Sequence, residues 1–327
     1  MKPSRVETVL SHTLNTRWPT FLWGPPGVGK SSIVRKIADD KGLHLLDVRA
    51  SLLDPTDLRG LPYVADDRAH WSPPSFLPHE PDSQGLLFFD ELNAAPPLVQ
   101  ASLYQLTLDR RVGEYELPAG WSIVAAGNRA EDGSVTYRMP AALANRFIHL
   151  EFEVNFEDWR SWAVHHGIHY LVRGFLSTRR ELLFEMKEPE RGFPTPRSWE
   201  MVSDVLHSFG SIEDCNDLLL GIVGEGASVE FAGYCQKAIS EERILEIMDD
   251  PENASIPKKL GDQYALISYL GGQADSAEAL TSSAGLLSRL KPEISVLLLR
   301  NILDHYPRFA AESGVQAFMR EHHQLVS

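Results

Sequence analysis

The segment Gly24-Pro25-Pro26-Gly27-Val28-Gly29-Lys30-Ser31 carries a glycine, four residues and then Gly-Lys-Ser, the spacing of a loop that cradles phosphates between a strand and a helix. Glycines let backbone N–H groups turn inward onto phosphate oxygens. The helix that follows points its positive end at them, and the Lys30 ammonium neutralises the terminal phosphates. Ser31 is the expected magnesium ligand, and Ser32 completes the nucleotide-binding set. Asp90 and Glu91 end the apolar run Leu86-Leu87-Phe88-Phe89. Both acids therefore emerge at the carboxyl end of a buried strand, where ligands of open parallel sheets gather. Asp90 is expected to hold magnesium directly or through water, and Glu91 to orient and deprotonate an attacking water.

Three further polar residues have two readings each. Asn128 follows Ile123-Val124-Ala125-Ala126-Gly127, which places a neutral amide at the same sheet edge as Asp90, although Asn after Gly is also ordinary turn chemistry. Arg146 closes the short helical stretch Pro140-Ala141-Ala142-Leu143-Ala144-Asn145. It is either a surface charge whose stem covers the helix or a finger reaching a neighbouring subunit's nucleotide, a role generally worth about 10³ to 10⁵ in turnover. Arg197, in Phe193-Pro194-Thr195-Pro196-Arg197-Ser198-Trp199, starts a helix after two prolines and is either a γ-phosphate contact or an exposed helix-start residue. His165, His166 and His169 lack the glutamate and third ligand that a zinc site needs. Trp159 and Trp162, three residues apart, read as helix core rather than a base-stacking platform.

These residues need a scaffold. Thr20-Phe21-Leu22-Trp23, His44 to Arg49, Leu86 to Phe89, Trp121 to Ala126 and Phe147 to Phe152 are short apolar runs separated by helical or turn-rich stretches. Val6, Leu10 and Leu14 recur at helical spacing, as does the segment Ser31 to Ala38. Repeated strand, helix, strand order predicts a buried, largely parallel sheet with helices on both faces. Residues 51–85, rich in Pro, Asp and Gly, are too long for a simple connection and read as an insertion, and residues 110–121 read as a small hairpin. Strand signals fade after residue 156. The expected division is 1–155 for the nucleotide-binding core, 156–240 for a helical lid and 241–327 for a helical extension.

Composition sets the outer limits. The chain has 327 residues, 43% hydrophobic and 23% charged, so a substantial core is expected rather than disorder. Net charge is −14, and it is unevenly spread: residues 1–150 carry 15 basic and 17 acidic side chains, residues 151–327 carry 16 and 28. A broad basic face for nucleic acid is therefore not expected. The insertion itself sets Arg59 and Arg68 against Asp54, Asp57, Asp66, Asp67, Glu80 and Asp82, which disfavours DNA as a ligand. Two cysteines, Cys215 and Cys235, are too few for a disulfide framework, and no uninterrupted apolar run approaches the roughly 18 residues of a membrane span. A cytoplasmic protein without a membrane partner is the expectation.

With these residues in hand, the chain resembles the AAA+ ATPases, and within them the MoxR-like group, over roughly residues 1–210. The resemblance implies a P-loop α/β core, a parallel sheet between helices, followed by an α-helical lid and a helical C-terminal extension. GPPGVGKS looks like the Walker A loop, LLFFDE like Walker B, Asn128 like sensor 1, Arg146 like the arginine finger and Arg197 like sensor 2. Residues 51–85 sit where this group carries an insertion in its second helix. The sequence departs from the common pattern at Ala94, where Arg is usual, and at Arg129, where Pro often follows the sensor Asn. What the resemblance implies is a magnesium-dependent ATPase forming a homo-oligomeric ring, a hexamer, that remodels a protein client, often one bearing a von Willebrand factor A domain. The alternatives are a nucleotide-switched binding module with negligible turnover and a nucleic-acid motor.

Overall fold

Runs of four to eight mostly apolar residues, too short for stable helices, form the strands of the first half. In the computed structural model, residues 1–133, 136–186, 191–274, 276–322 and 324 are described. The chain divides into two units, Met1–Val154 and Asn155–Ser327.

In the first unit, α1 (Pro3–Thr13) buries Val6 and Leu10 and precedes β1 (Thr20–Trp23), α2 (Lys30–Lys41) and β2 (His44–Arg49). After α3 (Pro55–Arg59) and the hairpin β3 (Leu61–Ala65) and β4 (Arg68–Ser72) come β5 (Gln84–Asp90) and α4 (Pro97–Asp109). A second hairpin, β6 (Arg111–Val112) and β7 (Tyr115–Glu116), leads to β8 (Gly120–Gly127), α5 (Ala141–Ala144) and β9 (Ile148–Glu151). Five strands form one sheet in the order β2-β5-β8-β1-β9, with every pair parallel. The alternation of side chains across a strand does the rest. Phe21, Leu87, Phe89, Ile123 and Ala125 cluster with Val99, Leu103 and Leu106 of α4, while α2 packs on β2, β5 and β8. Leu86, Phe88, Val124 and Ala126, all buried, are left for the opposite face.

β1 is first in sequence yet lies between the last two strands of the sheet, β8 and β9. The connection leaving β1 runs out to β2 on one side, and β9 closes the other. Strand order therefore reverses beside β1, and the carboxyl end of β1 is the crevice where an α/β sheet takes its ligand. The segment 51–85 supplies its own local structure. Asp54 and Asp57 form a capping box on α3, and Asp66 and Asp67, both at positive φ (53° and 55°), make the tight β3–β4 turn. The two hairpins touch through His70 and Glu114, 3.3 Å apart.

The second unit is helical: α6 (Phe156–His165), α7 (Tyr170–Thr178), α8 (Pro196–Phe209), α9 (Asn216–Cys235), α10 (Glu241–Asp249), α11 (Leu260–Gly272), α12 (Ala277–Leu286), α13 (Pro292–Leu303) and α14 (Ser313–Glu321). Asn155 starts α6 by accepting the Asp158 N–H at 3.0 Å, and Trp159 is buried in that helix. α9 is long and apolar enough by composition to cross a membrane, but Gly224 (φ 78°) breaks its helical geometry in the middle. Its Leu219, Val223, Ala227 and Phe231 are buried, and Phe231 meets Phe175 and Trp199 edge to face.

His169 caps α7, its Nδ1 accepting the Leu171 N–H at 3.3 Å. Burial, then the His207 ring and Arg173, push its pKa down to about 4. Arg173 is itself buried, with Nε and Nη1 lacking a hydrogen-bond partner among the described residues. In the folded chain His169 stays neutral down to about pH 4, whereas the unfolded chain takes up the proton near pH 6.5. The unfolded state therefore binds more protons in that window, and stability falls as pH falls through it, by up to roughly 3 kcal/mol. His169→Asn keeps a capping acceptor and removes the titration. Urea unfolding from pH 7 to pH 4 is expected to show a shallower loss in the variant than in the wild type, and equal slopes would refute this.

Candidate nucleotide site

The loop 24–29 leaves β1 at the strand-order reversal and enters α2 with Lys30 as its first residue. Gly27 and Gly29 stand at φ 75° and 102°, a region a side chain resists, and this lets the loop fold over its own N–H groups. No side chain caps α2 at Gly29, so the positive end of the helix is left to the loop. That arrangement attracts an anion.

Lys30 is only 7% exposed. Its ammonium donates to the carbonyl oxygens of Gly24 (2.6 Å) and Pro25 (2.8 Å) and to Oδ1 of Asn128 (2.9 Å). The lysine thus joins both ends of the loop to the residue that follows β8. Ser31 Oγ donates to Asp90 Oδ2 at 2.7 Å, joining the start of α2 to the end of β5. The Glu91 N–H donates to the other Asp90 oxygen at 2.9 Å, and Glu91 sits at φ 55°. A non-glycine residue there costs about 1 kcal/mol or more, and here the turn swings the carboxylate out at the sheet edge. Ser51 Oγ donates to Glu91 Oε2 at 2.7 Å.

Two hydrogen-bonded sets, Lys30 with Gly24, Pro25 and Asn128, and Ser31 with Asp90 and Glu91, therefore start from adjacent residues at the head of α2. Pro26, Gly27, Val28 and Gly29 complete the loop, with Val28 buried, and Ser32 points outward on α2. Arg146 joins neither set within its own chain. Its guanidinium stacks on Tyr104, 4.0 Å from the ring centre, and donates to the Ala142 carbonyl. Arg197 belongs to the second unit, at the second residue of α8, where it is exposed. Pro196 and the Thr195–Ser198 capping box fix that helix start, and Trp199 is fully buried with its indole N–H on the Leu182 carbonyl at 2.6 Å.

Three contributors escaped the sequence reading. Ser51 belongs to a segment that reads as insertion, and its partner Glu91 is 40 positions away. Asn93 donates through Nδ2 to the backbone oxygen of Asn128 at 2.7 Å. Arg129 donates to Glu151 through Nε at 2.9 Å and through Nη2, and so crosses the end of β1 from β8 to β9. Being largely exposed, this pair contributes less than about 1 kcal/mol, and its effect is to hold the two flanking strand ends together. A polar residue just beyond the carboxyl end of a predicted strand was the only local signal for the last two.

Residues 20–149 match the ATPase family associated with various cellular activities (AAA). The protein MoxR of Methylorubrum extorquens is 30% identical over 149 residues, covering 44% of this chain and 43% of that protein. The likeness to the AAA family and to the MoxR proteins thus falls on the first unit. The MoxR protein of Paracoccus denitrificans is likewise 30% identical, over 137 residues, covering 40% of each chain. Midasin of Giardia intestinalis is 30% identical over 153 residues, 44% of this chain and 3% of that protein. The chain thus matches less than half the length of these curated relatives. Among solved structures, Brucella abortus NtrX in complex with ADP aligns with 99% of this chain and 68% of its own, at 13% identity and a TM-score of 0.42. The matched residues 20–149 run from the start of β1 into β9 and so take in the whole parallel sheet with its flanking helices.

Proposed function

We propose that this protein hydrolyses ATP with magnesium at the carboxyl end of β1 and uses the cycle to remodel a protein partner. The observation that carries this reading is that adjacent residues at the head of α2 reach two strand ends, Lys30 to Asn128 after β8 and Ser31 to Asp90 at the end of β5, at the point where strand order reverses. The loop N–H groups and Lys30 take the phosphates. Ser31 Oγ and the Asp90 carboxylate are hard oxygen donors that suit Mg²⁺, which when bound offsets the charge developing on the phosphate oxygens. Glu91, held by Ser51, takes the proton of the attacking water, and Asn128 orients that water. Asn128 and Glu91 favour turnover over a pure nucleotide switch, which needs neither.

The reading extends to assembly. Arg146, turned onto Tyr104 in its own chain, acts on the nucleotide of a neighbouring subunit in a homo-oligomeric, hexameric ring. Arg197 acts as the lid's phosphate contact, with residues 156–240 as that lid and 241–327 as a helical extension that docks on a partner. Likeness to the MoxR proteins supports the ring and a client bearing a von Willebrand factor A domain. The acidic second half supports a protein client over nucleic acid, and two free cysteines support a reducing, cytoplasmic setting. Phosphate release from ATP, with and without Mg²⁺, combined with light scattering of the same sample, tests both levels. Magnesium-dependent release from a ring is expected. ATP binding without release in a single turnover over minutes would replace the ATPase with the switch, and a monomer in every nucleotide state would remove the ring.

A further inference from the structure

We infer that Asn93 is a positioning residue for ATP hydrolysis, setting the Asn128 amide through the Asn128 backbone and coupling it to the segment that carries Arg146. The inference rests on the ATPase reading above and goes beyond it, since among the described residues Asn93 makes no hydrogen bond to the phosphate loop.

The side chain of Asn93 is 4% exposed, in the short turn Leu92–Ala94 after Glu91. A buried amide is retained at a cost unless its groups are used. Nδ2 is used: it donates to the Asn128 carbonyl at 2.7 Å. Oδ1 is buried without a hydrogen-bond partner among the described residues. It lies instead against Gly127, where an added Cβ would come within 2.2 Å of Oδ1 and 2.8 Å of Cγ. The amide therefore occupies the space that glycine leaves empty at the last position of β8. Turning it over would set Oδ1 against the Asn128 carbonyl, oxygen to oxygen, so its orientation is determined.

The backbone of Asn93 makes the second link. Its carbonyl accepts the Tyr137 N–H at 2.7 Å, anchoring the stretch that leads to α5 and Arg146. One buried residue thus holds three parts of the site in register: the turn after Asp90 and Glu91, the backbone of Asn128, and the approach to Arg146. Asn128 Oδ1 accepts from Lys30 at 2.9 Å, so a shift of its backbone moves the amide relative to the phosphate loop. Core replacement alone would not call for an amide here, since an apolar side chain would avoid the unpaired Oδ1.

The test uses the full chain with Asn93→Ala, Asn93→Leu, Asn128→Ala and the double variant Asn93→Ala with Asn128→Ala. ATP affinity and thermal midpoint are read beside single-turnover phosphate release. Misplacement of a reacting group by about 1 Å can cost about 10²-fold, so a fall of about 10- to 100-fold in release is expected in both Asn93 variants, with ATP affinity within about twofold of wild type. The double variant is expected to be no slower than Asn128→Ala, because both substitutions remove the same contribution. Loss of ATP affinity in step with release, including through failure to fold, would assign Asn93 to the core and overturn the inference. So would full additivity in the double variant, or wild-type release in Asn93→Leu. A slow Asn128→Ala beside a fast Asn93→Ala would sink the inference alone, whereas a wild type that releases no phosphate would remove the ATPase reading and this inference with it.

Discussion

Lys30→Ala is expected to weaken ATP binding about 10- to 100-fold and to lower turnover by a further factor of about 10². The ammonium is almost wholly buried and already engages three oxygens, from Gly24, Pro25 and Asn128. A hydrogen bond from a charged donor is worth about 1.5 to 3 kcal/mol, which sets the scale of the affinity loss. The larger loss in turnover follows because charge on the terminal phosphate grows during transfer, in a place where water screens little. Lys30→Met keeps most of the stem in place, so an equal loss there assigns the effect to the charge and not to packing. Calorimetric titration with ATP and phosphate release measure the two parts. Undiminished turnover in both variants would remove Lys30 from the chemistry.

Glu91→Gln is expected to leave ATP binding within about threefold of wild type and to slow single-turnover release by about 10² to 10⁴. The substitution keeps size and shape. Ser51 can still donate to the amide oxygen that replaces Oε2, and the Glu91 N–H still donates to Asp90, so the turn at φ 55° keeps its anchors. What disappears is the basic oxygen that takes the proton from water. Parallel loss of affinity and rate would move Glu91 from chemistry to architecture. Unchanged release would remove the general-base role altogether.

The two residues differ in how far each could be read from the sequence. Lys30 stands in a contiguous motif whose glycines, lysine and serine are all within eight positions, so its loop geometry is locally dictated. Glu91 is legible as the acid after a four-residue apolar run, yet its partner Ser51 is not, because the two are 40 positions apart with most of the insertion between them. Asn93 and Asn128 are 35 apart, and Arg129 and Glu151 are 22 apart. Such pairs meet only because β5, β8, β1 and β9 lie in an order that differs from chain order.

The strands themselves were readable for a physical reason. A parallel strand buried on both faces must be apolar along its length, and Leu86 to Phe89 or Ile123 to Ala126 has no other comfortable environment. The loop was readable because positive φ at Gly27 and Gly29 and the helix that follows impose residue types at fixed spacing. Arg146 shows the opposite case. Its sequence position allows a surface charge or a finger, and its contact with Tyr104 on α4 comes from packing of α5 against α4, which no local pattern encodes.

The sequence by itself therefore determined the loop, the acid pair, the alternating strand and helix order and the acidic second half. Each of these follows from local backbone freedom, from burial or from counting charge. Only the tertiary structure decided that β1 sits between β8 and β9, that Lys30 bridges to Asn128, and that Ser51 and Asn93 hold Glu91 and Asn128 in place. Those contacts join side chains tens of residues apart across a sheet whose order is set by packing, and their energies are felt only after the chain has closed.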